Sequence, residues 1–323
     1  MAQGLLGFFG LMRQNSFGTP VTSFYYVPII SESLTKAIAQ LDEGNLRVRL
    51  GESPVYEGLN TISGDITFNP HPLEIGHFLY GLCGREVATT AVGSGVVDHS
   101  FAPTHTGLFD AYAALPPYSL EVHRDSDQSF RYNDAQINRL EFRVNQGALV
   151  EATAGFIARQ SSLVAETTPT FRAPNSVWAF QQASVSLASA ANADIESLVF
   201  TVERAIEGRA TLDGQRYISR YAKSGPDTVR VSGVLDFRVS SEFVEFNTQT
   251  QRALVLNVAM DPTSGPSLRI HVPLFRYEAF PINLGGPGRL TASFTGRGAF
   301  DTTSNTGIMF FLTNSHGTAY SAM

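Results

Sequence analysis

The chain has 323 residues, of which 43% are hydrophobic and 16% charged, a composition typical of folded proteins that excludes a largely disordered chain. Its length suits one large domain or two of ordinary size. The formal net charge of −6 argues against a basic nucleic-acid-binding surface as the dominant feature. The single cysteine, Cys83, excludes an intramolecular disulfide and a cysteine-based zinc cage.

The chain begins with an apolar stretch, but no run approaches the roughly 20 apolar residues that a membrane-spanning helix needs. A secretion signal is disfavoured because Arg13 follows the apolar stretch instead of preceding it. We predict that residues 1–30 form an N-terminal arm with little structure of its own, which packs on another surface because exposed aromatic side chains promote aggregation. Its anchors would be the aromatic residues Phe8, Phe9, Phe24, Tyr25 and Tyr26.

Two short helices are predicted in the first half of the chain. Residues 72–82 have a proline in the first turn, an apolar stripe and Gly84 just past the end. Residues 34–41 have a weaker helical pattern. All other regular segments have the period of strands.

Alternation of apolar and polar residues indicates strands along most of the chain. In the first half it covers residues 61–68 and a hairpin whose strands, 139–145 and 150–158, flank the turn signal at Asn145–Gly147. In the second half it covers residues 230–239, 254–258, 268–274 and 290–294, with a turn predicted at residues 283–288.

Three pairs of segments suggest that the chain is an internal duplication. They are residues 61–68 with 230–237, residues 147–155 with 288–296, and Glu32–Leu34 with Glu196–Leu198. We therefore predict a mainly β fold of two tandem β-sandwich or barrel domains, residues 31–168 and 169–323, with an insertion at about residues 85–114 in the first. The glycine in each strand motif, Gly64 or Gly233, predicts a bulge or a close backbone approach. Chance similarity between alternating strands is the alternative to duplication.

The search for catalytic or metal-binding motifs is negative. The chain has no nucleophile elbow, no phosphate-binding P-loop and no His-Glu-x-x-His segment. Asp98, His99 and His105 have residue types that bind metals, but a solvated loop is the favoured interpretation.

Other polar clusters have simple structural explanations as well. Asp125, Asp127 and Asp134 have some calcium-site character, but they lack EF-hand spacing and fit a tight turn. Cys83 is expected to be a buried, unreactive thiol, and the pairs Arg216–Tyr217 and Arg220–Tyr221 fit strand alternation better than a nucleic-acid surface. The sequence therefore predicts no catalytic residue, no cofactor and no metal.

A set of motifs in fixed order points to a family. A strand leads into a proline-started helix across Ile62–Gly84, and His99–Phe101, a strand at residues 115–122 and the segment Tyr132–Phe142 follow it. Over about residues 30–312 this order resembles the major tail tube protein of long-tailed, non-contractile bacteriophages. The N-terminal arm has no counterpart in that resemblance.

The resemblance implies a non-enzymatic structural protein of the phage tail, made in the host cytoplasm and assembled into stacked rings through which DNA is ejected into the host. Single-domain members of the family form hexameric rings, so a duplicated chain would build a ring from three copies, although six remain an alternative. The implied partners are further copies of the chain, a tape-measure protein, a tail terminator and tail tip proteins, with no membrane. DNA would pass without specific binding, which suits a net charge of −6.

The N-terminal arm and the insertion at residues 85–114 are candidates for contacts between rings. Two other functions fit a β-rich chain. One is a secreted or surface β-sandwich binding module, such as an adhesin. The other is a β-sandwich hydrolase with a site near His99 and His105.

Overall fold

The computed structural model describes residues 6–43, 54–93, 95–103, 115–172, 176–238, 240–261, 265–282 and 289–322. Within these ranges the chain is mainly β, as predicted, with two short α-helices. The strands are β1 (Phe8–Arg13), β2 (Tyr25–Val27), β3 (Ser31–Glu32), β4 (Thr35–Asp42), β5 (Val55–Phe68), β6 (Glu86–Gly93), β7 (Val96–Phe101), β8 (Tyr118–His123), β9 (Gln128–Asn145), β10 (Glu151–Ala158), β11 (Gln160–Ala165), β12 (Ala183–Leu187), β13 (Ala190–Ala191), β14 (Ile195–Glu203), β15 (Ile206–Arg209), β16 (Arg220–Lys223), β17 (Thr228–Asp236), β18 (Arg252–Ala259), β19 (Ser267–Ala279), β20 (Thr291–Ala299) and β21 (Met309–Asn314). The helices are α1 (Ile75–Cys83) and α2 (Ser241–Thr248), and 3-10 turns occupy Phe180–Gln182 and Tyr320–Ala322.

Eight strands form an antiparallel central sheet in the order β4–β5–β10–β9–β14–β17–β20–β19. A first outer sheet has the order β2–β1–β8–β9–β11, and a second has the order β12–β18–β19–β21–β7–β6. The long strands β9 and β19 each belong to the central sheet with one end and to an outer sheet with the other. The sheets are not closed into a barrel, so the barrel alternative is wrong and the packed-sheet alternative is correct.

The core lies between the central sheet and the two outer sheets. Phe9 of β1 packs on Phe156 of β10, with ring centroids 5.9 Å apart. Phe142 of β9 packs on Phe310 of β21 at 6.1 Å. The buried residues of both regions belong to one hydrophobic cluster, because β9 and β14 pair directly and carry the central sheet across the middle of the chain.

Helix α1 confirms the prediction for residues 72–82. All of its residues are buried, and it ends at Gly84, whose φ of 67° gives the left-handed conformation that glycine adopts readily. The helix covers the part of the core that lies beside β5 and β9, and the ring of Phe78 stacks on that of Phe68 with centroids 4.4 Å apart.

The same pattern of strand pairing occurs before and after residue 168, and we refer to these two parts as the first and second halves. The ladders β4·β5, β5·β10, β10·β9, β8·β9 and β1·β8 of the first half correspond in chain order to β14·β17, β17·β20, β20·β19, β18·β19 and β12·β18 of the second. Helix α1 follows β5 and contacts β9, just as α2 follows β17 and contacts β19.

The strand-motif glycines lie at matched positions in this pattern. A Cβ atom on Gly64 would be 2.5 Å from the carbonyl oxygen of Ser33, and a Cβ on Gly233 would be 2.5 Å from that of Ser197. The predicted close backbone approach is therefore confirmed at both glycines, and the Glu-Ser-Leu segments supply the approaching backbone.

The pair formed by residues 147–155 and 288–296 does not match in this way. Gly64 lies opposite Phe156, and Gly233 lies opposite Phe294. The alignment of residues 147–155 with 288–296 is thus three residues out of register with the strand pairing.

Several local predictions need correction. Residues 34–41 form no helix, because Thr35–Asp42 pair with β5 as strand β4. The interpretation of the N-terminal arm as having little structure is wrong for Phe8–Arg13, because this strand pairs with β8 and buries Phe8 and Phe9 in the core. The described part of the insertion forms the hairpin β6–β7, which pairs with β21 of the second half. The turn predicted at residues 283–288 lies outside the described residues.

Candidate functional surface

The central sheet has one face on the core and one polar face toward solvent. Alternation along each strand places small hydroxyl and charged side chains on this polar face, and strand register brings them into rows. One such row runs from Thr67 through Thr153, Glu141, Thr201, Arg230 and Arg297 to Arg276.

Most arginines of the polar face pair with carboxylates of the same face, on their own strand or on a nearby one. The pairs are Arg139–Asp65 at 2.9 Å, Arg143–Glu141 at 2.7 Å, Arg143–Glu151 at 3.3 Å, Arg230–Glu278 at 3.5 Å and Arg297–Glu278 at 3.4 Å. Exposed pairs of this kind add little stability. They do occupy the guanidinium groups, so this face offers few uncommitted positive charges to a phosphate backbone.

The central sheet is open at both edges among the described residues. At one edge β4 is exposed along its whole length, including Ile38 and Leu41. At the other edge lie the end of β19 and Ile282, which bridges back to Ala292. An exposed edge strand with apolar side chains is prone to pair with another chain.

The histidine predicted as a possible metal ligand or hydrolase residue is committed to structural contacts. His99 is buried, with Nδ1 2.8 Å from a Glu86 carboxylate oxygen and Nε2 3.1 Å from the carbonyl oxygen of His316. Asp98 accepts a hydrogen bond from Thr313 at 2.6 Å. His105 lies outside the described residues, so a site formed by the two histidines stays a prediction.

Asp125 and Asp127 lie in the bend between β8 and β9, in agreement with the tight-turn interpretation, and Asp134 lies within β9. Asp125 and Asp134 both have φ of 54°, which is typical of tight turns and bulges. Asp134 is buried and accepts hydrogen bonds from the backbone N–H of Gly18 at 2.6 Å and from Arg159 at 3.3 Å. Burial also raises the pKa of the Cys83 thiol to about 12, consistent with the expected unreactive thiol.

One side-chain cluster had no signal in the sequence. The ring of Tyr320 packs edge-on against His77 at 5.0 Å and stacks on His316 at 4.6 Å, and its hydroxyl donates to the carbonyl oxygen of Leu73 at 2.8 Å. These contacts fasten the C-terminal segment to α1. The hydrogen bond from Tyr320 to Leu73 joins residues 247 positions apart, so local patterning could not have indicated it.

Burial lowers the pKa of His77 to about 3, and the nearby positive charge of Arg172 acts in the same direction. Burial opposes ionisation of Glu86, but hydrogen bonds from His99, Ser321 and Thr89 outweigh it and lower the Glu86 pKa. These shifts describe a tightly packed structural cluster.

Within the described ranges, no group of three or more histidine, cysteine, aspartate or glutamate residues is arranged to hold a metal ion. No helix in the described part of the chain has the length and apolar character needed to cross a membrane.

Comparison with known families identifies the family of the chain. The family model described as phage tail tube protein matches residues 4–298, which includes most of both halves and β1. No individual curated protein gives a match. Because the family match covers most of its length, the chain belongs to the phage tail tube protein family and is a structural protein of the virion tail.

Proposed function

We propose that the chain self-assembles into stacked rings whose central channel conducts DNA during its ejection into the host. The observation that carries this proposal is the central sheet, which has a polar face with paired charges and, among the described residues, an open edge at β4 and at the end of β19. Edge-to-edge pairing of such sheets closes a ring, and their polar faces then line the channel.

The β9·β14 ladder supports this mode of assembly because it is an edge-to-edge joint within one chain. In the central sheet, β9 is the strand of the first half that borders the second half, and β14 is the strand of the second half that pairs with it. In the ring, the end of β19 in one copy and β4 in the next form the equivalent joint between chains.

We further propose that the chain is a tandem duplication and that three copies form one ring. The repeated order of strand pairing and the matched positions of Gly64 and Gly233 support this proposal. Three further points stay predictions. They are the domain boundary near residue 168, the tape-measure, terminator and tip proteins as partners, and synthesis in the host cytoplasm. The role of the insertion in contacts between rings also stays a prediction.

The channel passes DNA without binding it tightly. On the polar face the carboxylates of Asp65, Glu141, Glu151 and Glu278 hold most of the arginines that would otherwise contact phosphates. Tight, salt-dependent binding needs several free lysine or arginine contacts, and the described residues of this face offer few of them.

Negative-stain electron microscopy of the purified chain at rising concentration, with the mass of the smallest closed ring, tests the proposal. We expect open-channelled rings or tubes, and a ring mass of three chains. A ring of six chains would support the tube and refute the three-copy ring. A chain that stays monomeric at every concentration, and also when tail tip complexes are added as initiators, would contradict ring assembly.

A further inference from the structure

The connection between β14 and β17 carries a hairpin, β15–β16, that leaves the central sheet and packs on the first half. The connection between β4 and β5 occupies the same place in the pairing pattern, and its ladder is interrupted between Ile38 and Gln40. We call the described residues beyond that interruption, 40–43 and 54–57, the β4–β5 arm. The two hairpins are therefore counterparts in the two halves.

The β15–β16 hairpin docks on Arg159. The Nε of Arg159 donates to the carbonyl oxygen of Ile218 at 3.0 Å, and its guanidinium lies 4.6 Å from the ring centroid of Tyr217. The hydroxyl of the buried Tyr221 donates to the carbonyl oxygen of Asp134. One backbone carbonyl and one aromatic ring of the hairpin thus contact an arginine of the first half.

The matching surface of the second half is open. Ala158 lies opposite Ile62 and Gly296 lies opposite Val231, so Arg159 and Arg297 follow at corresponding positions. Arg297 lines a cavity of about 480 Å³, whereas the cavity beside Arg159 and Tyr217 has about 230 Å³. Nothing in the described chain occupies the second-half cavity in the way that the β15–β16 hairpin occupies the first.

The open cavity has an excess of positive charge. Arg297 lies directly between Arg230 and Arg276 in neighbouring strands, and Glu278 is the carboxylate that pairs with Arg230 and Arg297. The other carboxylate of the lining, Asp227, pairs with Lys223, so the three arginines outnumber the two acidic residues. The Nε of Arg276 is buried without a hydrogen-bond partner. Like charges in register and an unsatisfied buried donor both cost stability, so this arginine cluster favours a partner that brings carboxylates and carbonyl oxygens.

The β4–β5 arm has the complementary chemistry. It carries the exposed carboxylate of Asp42 and the exposed apolar side chains of Leu41, Val55 and Tyr56, whereas Glu57 is already paired with Arg216 of the same chain. Exposed apolar groups of this kind mark an interaction surface.

Within one chain, the arm and the arginine cluster lie toward opposite edges of the central sheet. At about 4.8 Å per strand, β4 is about 25 Å from β17. In the proposed ring, however, β4 of one copy lies beside the β19 edge of the next, which brings that arm to the cluster.

We propose that the β4–β5 arm of one copy docks on the Arg230, Arg276 and Arg297 cluster of a neighbouring copy. This inference rests on the proposed ring assembly. It adds a specific contact between neighbouring copies, which corresponds to the contact of the β15–β16 hairpin with Arg159 within one chain.

Charge reversal tests the contact. Arg297→Glu and Asp42→Lys should each raise the concentration needed for assembly at least tenfold, and the double variant should recover most of the loss because it restores opposite charges across the joint. Arg238→Glu is the matched control, since Arg238 is exposed and pairs with Asp194 away from the cavity. Circular dichroism checks that each variant folds.

Normal assembly by Arg297→Glu would overturn the docking contact and leave the ring proposal standing. If Arg297→Glu instead weakened retention on DNA and left assembly unchanged, the cluster would be a DNA contact and the inference would be wrong.

A photocrosslink gives an independent readout, even when only small oligomers form. Tyr56 is replaced by p-benzoylphenylalanine and the protein is irradiated at high concentration. We expect a two-chain adduct whose peptides contain Arg230, Arg276 or Arg297. Adducts that map elsewhere, or no two-chain adduct at all, would refute the docking.

Discussion

Mild acid should destabilise the folded chain through His77. The ring stacks on Tyr25 at 4.5 Å and meets Tyr320 edge-on, and its buried Nε2 has no hydrogen-bond partner. Burial lowers the pKa from 6.5 to about 3. The unfolded chain therefore takes up a proton below about pH 6.5, whereas the folded chain does so only near pH 3, and stability falls as the pH falls through this window. Between pH 7 and pH 5 this one group accounts for a loss of about 2 kcal/mol.

Urea unfolding at pH 7 and pH 5, followed by the fluorescence of the single, buried tryptophan, Trp178, measures this loss. The comparison is with His77→Phe, which keeps an aromatic ring of similar size and removes the titration. We expect the variant to lose about 2 kcal/mol less than the wild type on acidification. His316 and His271, whose pKa values burial also lowers, are present in both proteins and cancel in the difference. Equal losses in the two proteins would refute the reasoning.

Three further outcomes follow from close packing. Gly64→Ala and Gly233→Ala should each lower the free energy of unfolding by about 2 kcal/mol or more, because the new Cβ would clash with a backbone carbonyl oxygen. An unchanged free energy in urea unfolding would show that the backbone can move apart at these positions. Gly76→Ala should push Tyr320 off α1 and expose the C-terminal segment to limited proteolysis, whereas a wild-type digestion pattern would contradict this. Cys83 should resist thiol reagents at pH 8 in the folded chain and react in urea, and rapid labelling of the native chain would argue against its burial.

Strands with one buried and one polar face were predictable because alternation is visible along the chain. Strands β5, β10 and β17 were found in this way. Strand β1 was missed because Phe8–Leu11 is a continuous apolar run, which does not show the alternation of a half-exposed strand. Strand β4 was misread as a helix because Leu34, Ile38 and Leu41 have helical spacing, and only its partner β5 decides otherwise.

The polarity of the functional surface was predictable from the sequence, but the pairing of its charges was not. The sequence indicated a polar sheet face, but the pairing of Arg139 with Asp65 depends on a register set by distant strands. The same holds for Arg297 between Arg230 and Arg276, which come from three strands. Charge patterns within one strand do not reveal which charges will become neighbours.

The pairing of β7 with β21 has a kinetic consequence. Phe101 lies opposite Phe310, so the second outer sheet is completed only when the end of the chain returns to a hairpin made near its beginning. Contacts so distant in sequence form slowly, because loop-closure entropy opposes them until much of the core exists. During synthesis, β6–β7 leaves the ribosome long before its partner, and its apolar side chains stay uncovered in the interval. A chain that terminates before β21 therefore cannot complete this sheet, and only chains that include β21 can fold to completion.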